Sequence, residues 1–191
     1  MPQERFLKTR GIRMRDRGHM PHWETNDVSY FVTFRLRDSL PAEVVARLQH
    51  LRAKLLARAT TSVERHEAHR MFGRRLDAVL DAGQGSGILR EHGGVVADAL
   101  RHFDGERYEL QAWCVMPNHV HVLLYVPGLA RLDRVVHSWK SYTAHQIGRG
   151  AIWAREYFDH IVRGPMELER ISEYIRANPA KAKLKGWPFV G

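Results

Sequence analysis

The chain has 191 residues, 44% of them hydrophobic, which is enough for one domain with a buried core. Lys and Arg outnumber Asp and Glu by 30 to 21, and the formal charge of +9 favours a polyanionic partner, with nucleic acid as the first candidate. The single cysteine, Cys114, excludes an internal disulfide and a cysteine-based zinc site. No apolar run approaches the roughly 18 residues of a membrane span and no apolar signal core begins the chain, so we expect a cytoplasmic protein without membrane contact.

Residues 1–27 are interpreted as a basic N-terminal arm, followed by a single domain over 28–191 with a helical insertion at about 42–90. Within the first twenty residues, six basic side chains stand against two acidic ones. Such a segment is typical of a mobile arm that becomes ordered on a phosphate backbone, and a solvated tail without a role is the alternative. The candidate phosphate contacts in the arm are Arg10, Arg13, Arg15 and Arg17.

The domain begins with a strand followed by helices. Residues 30–36 are rich in aromatic and β-branched side chains and predict a β-strand. Helical spacing of apolar residues then predicts a hairpin of two helices, over 42–59 and 62–80. The glycines of 83–87 break the chain but form no phosphate loop, because no Gly-Lys-Ser/Thr sequence follows them. A third helix is predicted over about 94–102.

Two strands, over 107–115 and 119–126, are predicted to meet at a tight turn at Met116-Pro117-Asn118. Successive side chains of a strand alternate between faces, so His119 and His121 point the same way. Two such imidazoles can converge on one divalent cation as neutral nitrogen ligands, and the alternative is a pair of exposed histidines on a solvated sheet face. The side chains expected to enter the core from the other face are Val120, Val122, Leu124 and Val126.

The remaining elements are a helix over 129–147, a short edge strand over 152–162 and a last helix over 166–178, which Pro179 is expected to end. The order strand, helices, strand, strand, helix, strand, helix predicts an α+β fold. Its simplest form is a ferredoxin-like antiparallel sheet of about four strands with helices on one face, plus the helical hairpin inserted after the first strand.

The last helix carries a tyrosine and an asparagine on one face. Asn178 lies four residues after Tyr174, so both side chains lie along one edge of the apolar stripe. A phenol and an amide oxygen presented together could meet a metal held by two strand histidines. The spacing alone favours the structural alternative, in which Tyr174 packs at the core edge and Asn178 caps the helix.

Taken in order, four segments resemble the single-tyrosine HUH transposases, and in particular the REP-associated tyrosine transposases, which are relatives of the IS200-type enzymes. The resemblance covers roughly residues 30–187, less clearly through 42–90. It rests on the ordered set and not on any one segment. The segments are Met116–Leu124, Trp139–Ala144, Ile152–Asp159 and Tyr174–Ala182.

The resemblance implies a ferredoxin-like fold that cleaves single-stranded DNA next to a hairpin through a covalent 5′-phosphotyrosine. Tyr174 matches the nucleophile, and His119 and His121 match the paired metal ligands. Asn178 matches a position that can supply a third ligand. The implied cofactor is Mg²⁺ or Mn²⁺, and the implied partner is single-stranded or hairpin DNA, bound by a monomer or a homodimer.

Several alternatives stay open at this point. One alternative is a protein of the same fold that binds palindromic hairpins without cutting, and another is a nuclease in which metal-bound water cuts without a covalent adduct. Tyr142 and Tyr157 are rival nucleophiles. The further candidate DNA contacts are Lys140 and Arg163 for phosphates and Trp153 for stacking on unpaired bases, with core packing as the alternative for the tryptophan.

Overall fold

The computed structural model describes residues 13–16, 21–24, 27–128 and 130–191. In this part of the chain no helix has the length and apolar character needed to cross a membrane. Its elements in chain order are β1 (Arg13–Asp16), β2 (Pro21–Glu24), β3 (Val28–Leu36), α1 (Ala42–Arg58), α2 (Ser62–Leu80), α3 (Leu89–Arg101), β4 (Glu109–Val115), β5 (His119–Val126), α4 (Leu132–Ile147), β6 (Trp153–Ile161) and α5 (Pro165–Lys181).

The main sheet has four antiparallel strands in the order β4-β5-β3-β6. β3, the first of the four in sequence, lies between β5 and β6, and β4 pairs with β5 at one edge. This order, with helices in the two crossover connections, is that of a ferredoxin-like sheet. The predicted α+β class and four-stranded antiparallel sheet are confirmed.

Helices cover both faces of this sheet, so the expectation of helices on one face is wrong. The valine face, with Val120 and Val122 of β5, packs against α3 and α4. The histidine face, with His119, His121 and Leu123, packs against α1, α2 and α5. Every side chain of β5 except one is buried, as expected for a strand covered on both faces.

Three helix ends differ by three to five residues from the sequence prediction, and one of them is the start of α4, at Leu132 instead of 129. α3 begins at Leu89, five residues earlier than predicted, because that side chain is completely buried and anchors the first turn. α5 continues through Pro179 to Lys181, so this proline does not end the helix. A proline so close to a helix terminus removes only one of the last backbone hydrogen bonds, which limits its cost.

The basic arm contains a two-stranded antiparallel ribbon. β1 pairs with β2, with Arg13 opposite Glu24 and Arg15 opposite His22. These residues form paired strands, and the arm that the sequence predicts to order on DNA stays a prediction. Arg10 and Arg17 lie outside the described residues, and the boundary between arm and domain stays a prediction.

Candidate active site

The two strand histidines lie at the centre of the histidine face. Both side chains are completely buried, so the alternative of a solvated pair is wrong. Their Nε2 atoms are 3.0 Å apart. Burial lowers the pKa of His119 to about 3, and burial together with the neighbouring His119 lowers that of His121 well below its usual value. Both rings are therefore neutral near pH 7, which is the form that ligates metal.

The turn before β5 fixes the orientation of the His119 ring. Asn118 donates from Nδ2 to the carbonyl oxygens of Leu80 (3.2 Å) and Gln84 (2.9 Å), which leaves its Oδ1 facing His119 Nδ1 at 2.7 Å. An amide oxygen only accepts, so Nδ1 of the neutral ring carries the proton and Nε2 presents a lone pair. The turn thus joins the end of α2 to β5 and prepares one ligand atom.

Thr33 holds the second ring. Its Oγ1 lies 2.9 Å from His121 Nδ1. A hydroxyl can donate or accept, so it suits either tautomer of His121. When Nδ1 donates to Thr33, both Nε2 lone pairs converge on one point, and such outer hydrogen bonds are the usual support of metal-ligating histidines.

Asp81, which the sequence analysis missed, lies beside the two histidines. It directly follows α2, and its Oδ1 is 3.6 Å from His119 Nε2. One ligand atom from each of Asp81, His119 and His121 lies within 4.8 Å of the other two. Its spacing from the histidines in sequence gives no signal. The sequence does place Asp77 and Asp81 beside the apolar stripe at the end of α2. Carboxylates are rare in such positions, so this pair could have indicated a functional site.

Tyr174 approaches this site from α5. Its ring centroid is 5.5 Å from that of His121 and 6.1 Å from that of Phe31. Asn178, one turn later, is almost completely buried, and both of its amide atoms lack a hydrogen-bond partner within the described residues. Because α5 extends to Lys181, Asn178 does not cap the helix. The structure therefore brings the predicted tyrosine and asparagine to the histidine face.

Two carboxylates next to Tyr174 control its ionisation. Burial, and then the charges of Asp77 and Asp81, raise the pKa of Tyr174 well above its usual value. Burial, and then repulsion from Asp81, raise the pKa of Asp77 to about 8. For Asp81, burial raises the pKa, and Asn178 and Lys181 partly oppose that shift. The buried Asp77 and the partly exposed Asp81 thus lie together with a phenol, and a cation bound among them would favour the ionised forms of these groups.

Part of the chain matches a known protein family. Residues 98–178 match the family model described as IS200-like transposase. The resemblance to the IS200-like transposases is confirmed. The matched residues, which we call the IS200-like segment, contain His119, His121, Tyr174 and Asn178.

Individual relatives are distant. The chain is 25% identical over 101 residues to a putative REP-associated tyrosine transposase of Haemophilus influenzae, and this match spans 43% of the chain and 57% of that relative. A structure of a REP-associated tyrosine transposase bound to a REP hairpin aligns with 85% of this chain and 74% of its own, at 19% identity and a TM-score of 0.46. A putative transposase from Deinococcus radiodurans R1 aligns with 78% of this chain and 89% of its own, at 16% identity and a TM-score of 0.31.

The rival tyrosines of the IS200-like segment lie on the other side of the sheet. Tyr157 packs against the core of the valine face. Tyr142 belongs to α4, which covers that same face, and its side chain is 53% exposed. Of the three candidate tyrosines, Tyr174 is the one that contacts a strand histidine.

The further DNA candidates have different surroundings. Trp153 is buried, its ring contacts Phe34 edge-on at 4.9 Å, and its Nε1 donates to Thr143 Oγ1 at 2.9 Å. The prediction that Trp153 stacks on DNA bases is therefore corrected, because its ring is enclosed by the core. Lys140 donates to the carbonyl oxygens of 154 and 155 at 2.7 and 2.9 Å, and burial lowers its pKa to about 8. Arg163 is exposed.

A basic pocket of about 270 Å³ opens beside Tyr174, between α2, β6 and α5. Arg70, Arg74 and Arg170 line it together with Tyr174 and Asp77. From the other side, Lys181 Nζ lies 5.1 Å from the centroid of the Tyr174 ring. None of these four cations was predicted. Arg70 and Arg74 belong to the insertion, whose polar face was interpreted mainly as a solvated surface, and Arg170 and Lys181 lie on α5, where the prediction was confined to Tyr174 and Asn178.

Proposed function

We propose that this chain is a metal-dependent single-stranded DNA endonuclease and strand transferase that cuts beside DNA hairpins, with Tyr174 as the nucleophile. The observation that carries the proposal is the contact of the Tyr174 ring with His121, at 5.5 Å between centroids, in a site that also holds His119 and Asp81. A binding protein would have no need of a phenol, two neutral imidazoles and a carboxylate in one buried site.

His119, His121 and Asp81 would hold the metal ion, with Asn178 as the further ligand implied by the resemblance. The donor set fits, because two Nε2 atoms 3.0 Å apart face each other and Asp81 Oδ1 lacks a hydrogen-bond partner within the described residues. Imidazole nitrogens with carboxylate and amide oxygens suit Mn²⁺, and Mg²⁺ at lower affinity. Such an ion offsets the negative charge of a phosphate oxygen and so lowers the barrier to attack.

Tyr174 would attack the scissile phosphorus through its hydroxyl oxygen. The new bond joins that oxygen to the 5′-phosphate of the downstream strand, and the bond from phosphorus to the 3′ oxygen breaks. Asp77, which burial and Asp81 keep largely protonated near pH 7 with a pKa of about 8, would accept the phenolic proton in its ionised form, and the departing 3′ oxygen takes a proton from solvent to become a hydroxyl. The covalent phosphotyrosine retains the phosphodiester, so another 3′ hydroxyl can reverse the step and join a new strand.

The basic pocket next to Tyr174 would hold the DNA backbone. Arg70, Arg74 and Arg170 line this pocket, and guanidinium groups bind phosphates with paired hydrogen bonds. Arg13 and Arg15 of the ribbon, Arg10 and Arg17 of the arm, and the exposed Arg163 remain proposed phosphate contacts. Since every proposed catalytic group comes from one chain, a monomer suffices for the cut.

The test uses single-stranded oligonucleotides that carry palindromes found beside the gene, incubated with Mn²⁺ and separated on a denaturing protein gel. We expect a 3′-end label to remain attached to the protein and a 5′-end label to leave on a free fragment. Tyr174→Phe should abolish the labelled protein, whereas the matched variants Tyr142→Phe and Tyr157→Phe should retain it.

Other outcomes identify the alternatives. An adduct that persists in Tyr174→Phe would remove Tyr174 from its role. Cleavage without any adduct would indicate attack by water, and tight hairpin binding with intact DNA under all metal conditions would indicate a protein that only binds.

A further inference from the structure

A second cluster of potential metal ligands lies at the basic pocket and includes two of the residues that line it. It consists of His66 on α2, His160 on β6 and Glu167 on α5. One ligand atom from each lies within 4.8 Å of the other two. The cluster shares no residue with the first site, although His160 and Glu167 also line the basic pocket that is proposed to hold DNA.

The three side chains are arranged for a nitrogen, nitrogen and oxygen donor set. His160 is 4% exposed, and its Nε2 lies 3.1 Å from Glu167 Oε1. The other carboxylate oxygen, Oε2, accepts the backbone N–H of Arg163 at 3.0 Å, which fixes the carboxylate plane. The His66 ring lies 4.9 Å from the His160 ring, measured between centroids. The half-buried His66 can turn about its side-chain bonds to close the remaining distance.

We propose that His66, His160 and Glu167 bind a Zn²⁺ ion, with water as the fourth ligand. Two histidines and one glutamate with an open position form an established tetrahedral zinc set, in which ligand atoms lie roughly 2.0–2.2 Å from the metal. The separation of 3.1 Å between the His160 nitrogen and the Glu167 oxygen suits two ligands of one such ion. Mg²⁺ does not compete well, because it prefers oxygen ligands and retains its water.

An ordinary ion pair is the competing explanation for this cluster. Arg170 Nη2 lies 3.4 Å from Glu167 Oε1, but the Arg170 side chain is 63% exposed and can turn to solvent at little cost. An ion pair between His160 and Glu167 does not require His66. The His66 ring lies over the His160 ring and comes from α2. A shared metal ion explains this position of His66, whereas an ion pair between His160 and Glu167 does not.

The bound ion would join three elements that the sequence separates widely. α2 also carries Asp77, and α5 carries Tyr174 seven residues, or about two turns, after Glu167. Zn²⁺ would thus tie the helical insertion to the helix with the tyrosine. The site is structural in this inference and does not depend on the proposed cleavage.

The experiment counts zinc in the full chain after removal of metal by chelator. To isolate the second site, His119→Ala and His121→Ala are combined, and Zn²⁺ is titrated in excess Mg²⁺. We expect one Zn²⁺ per chain and a raised melting temperature. Adding His66→Ala should weaken binding at least about tenfold, and Glu167→Gln, which retains hydrogen bonding, should do the same. The exposed His145→Ala is the matched control and should change nothing.

Absence of zinc binding in the combined background, or binding that is unchanged by His66→Ala, would overturn the inference. If the combined variant does not fold, the number of Zn²⁺ ions bound per chain is measured instead in a chain that keeps His119 and His121. Its zinc stoichiometry should fall by one with His66→Ala and stay constant with His145→Ala. DNA is absent from both measurements, so their failure leaves the proposed cleavage untouched.

Discussion

The two faces of the sheet are both buried, but their polar groups differ. On the valine face, Trp139 Nε1 donates to the Tyr108 hydroxyl at 2.9 Å, and that hydroxyl donates to the Leu100 carbonyl at 2.8 Å. Trp153 Nε1 likewise donates to Thr143 Oγ1. These buried polar atoms are paired within the protein, as is usual in a core that serves stability.

On the histidine face, several buried polar atoms have no such partner within the described residues. They are Asp77 Oδ1, Asp81 Oδ1, the Tyr174 hydroxyl and both amide atoms of Asn178, which lie close enough to influence one another's ionisation without meeting hydrogen-bond geometry. Leaving a buried polar group unpaired costs about 1–3 kcal/mol each. Buried polar atoms without a protein partner are expected to cluster where a cation and a phosphate bind, because these ligands would supply the missing partners. Both faces are buried, so they differ in how densely atoms without a hydrogen-bond partner in the described part of the chain are clustered: the histidine face gathers five of them around Tyr174, whereas α3 on the valine face carries His92 Nε2.

The largest effect is expected from Trp139→Ala on the valine face. The side chain is 2% exposed, so its removal leaves a cavity and takes away the donor to the Tyr108 hydroxyl, which keeps its own bond to the Leu100 carbonyl. The free energy of unfolding should fall by about 3–5 kcal/mol in urea titrations. Mn²⁺ affinity of the folded protein should be unchanged. A comparable loss of metal affinity would mean that the two faces are not independent.

A second prediction concerns acid stability, measured without metal. The folded pKa of His119 is about 3, below its unfolded value near 6.5, so the unfolded chain binds more protons between these values and stability falls as pH falls below about 6.5. From pH 7 to 5 this histidine should account for about 2 kcal/mol of lost unfolding free energy.

The measurement compares the change in unfolding free energy between pH 7 and pH 5 in the unaltered chain with the same change in His119→Gln. Because each change is taken within one protein, the direct effect of the substitution on packing cancels. The exposed His145→Gln serves as the control and should show the full loss. An equal pH dependence in all three proteins would indicate that His119 is not buried as a neutral ring.

Two threonines, one on each face, give a matched pair of nearly isosteric changes. Thr33→Val removes the hydroxyl beside His121 Nδ1 and should lower Mn²⁺ affinity by about 10–100-fold in calorimetric titrations. Thr143→Val removes the acceptor of Trp153 Nε1 and should lower the free energy of unfolding by about 1–3 kcal/mol without changing metal affinity. The reverse assignment of the two effects would contradict the distinction between the faces.

Much of the fold was predictable because its elements have strong periodicity. The apolar stripes of α1 and α2 and the alternation in β5 placed these elements within about a residue of their observed ends. The second covering layer was not predictable in this way. Histidines alternating with valines suggest a solvated face, and only contact with α2 and α5 makes His119 and His121 buried.

The candidate nucleophile and metal ligands that were predicted from the sequence all lie in the IS200-like segment, and the two carboxylates that were not predicted, Asp77 and Asp81, lie outside it. Tyr174 and the two histidines reach one site, whereas Asp81 depends on how α2 docks against the turn at Asn118. That docking joins residues far apart in sequence, which no local pattern records. Trp153 illustrates the opposite error, because aromatic character alone does not separate a stacking surface from a core ring.

The smallest effect is expected at the start of α2, far from the end that carries Asp77 and Asp81. Thr61 accepts the Glu64 N–H at 3.1 Å, and the Glu64 carboxylate accepts the Thr61 N–H at 3.0 Å, which forms a capping box. Thr61→Ala should cost about 1 kcal/mol of unfolding free energy. Because Phe72, Leu76 and Leu80 anchor the later turns, hydrogen exchange should increase at residues 62–66 and remain constant at 76–80.

This substitution also separates the two metal sites. His66 lies in the turns that Thr61 caps, so fraying there should weaken Zn²⁺ binding a fewfold in the background that lacks the strand histidines. Mn²⁺ binding at His119 and His121 should be unaffected, since Asn118 holds the other end of α2 through Leu80. Equal weakening at both sites would show that α2 responds as one rigid unit, so that the histidine face is coupled to the insertion along the full length of this helix.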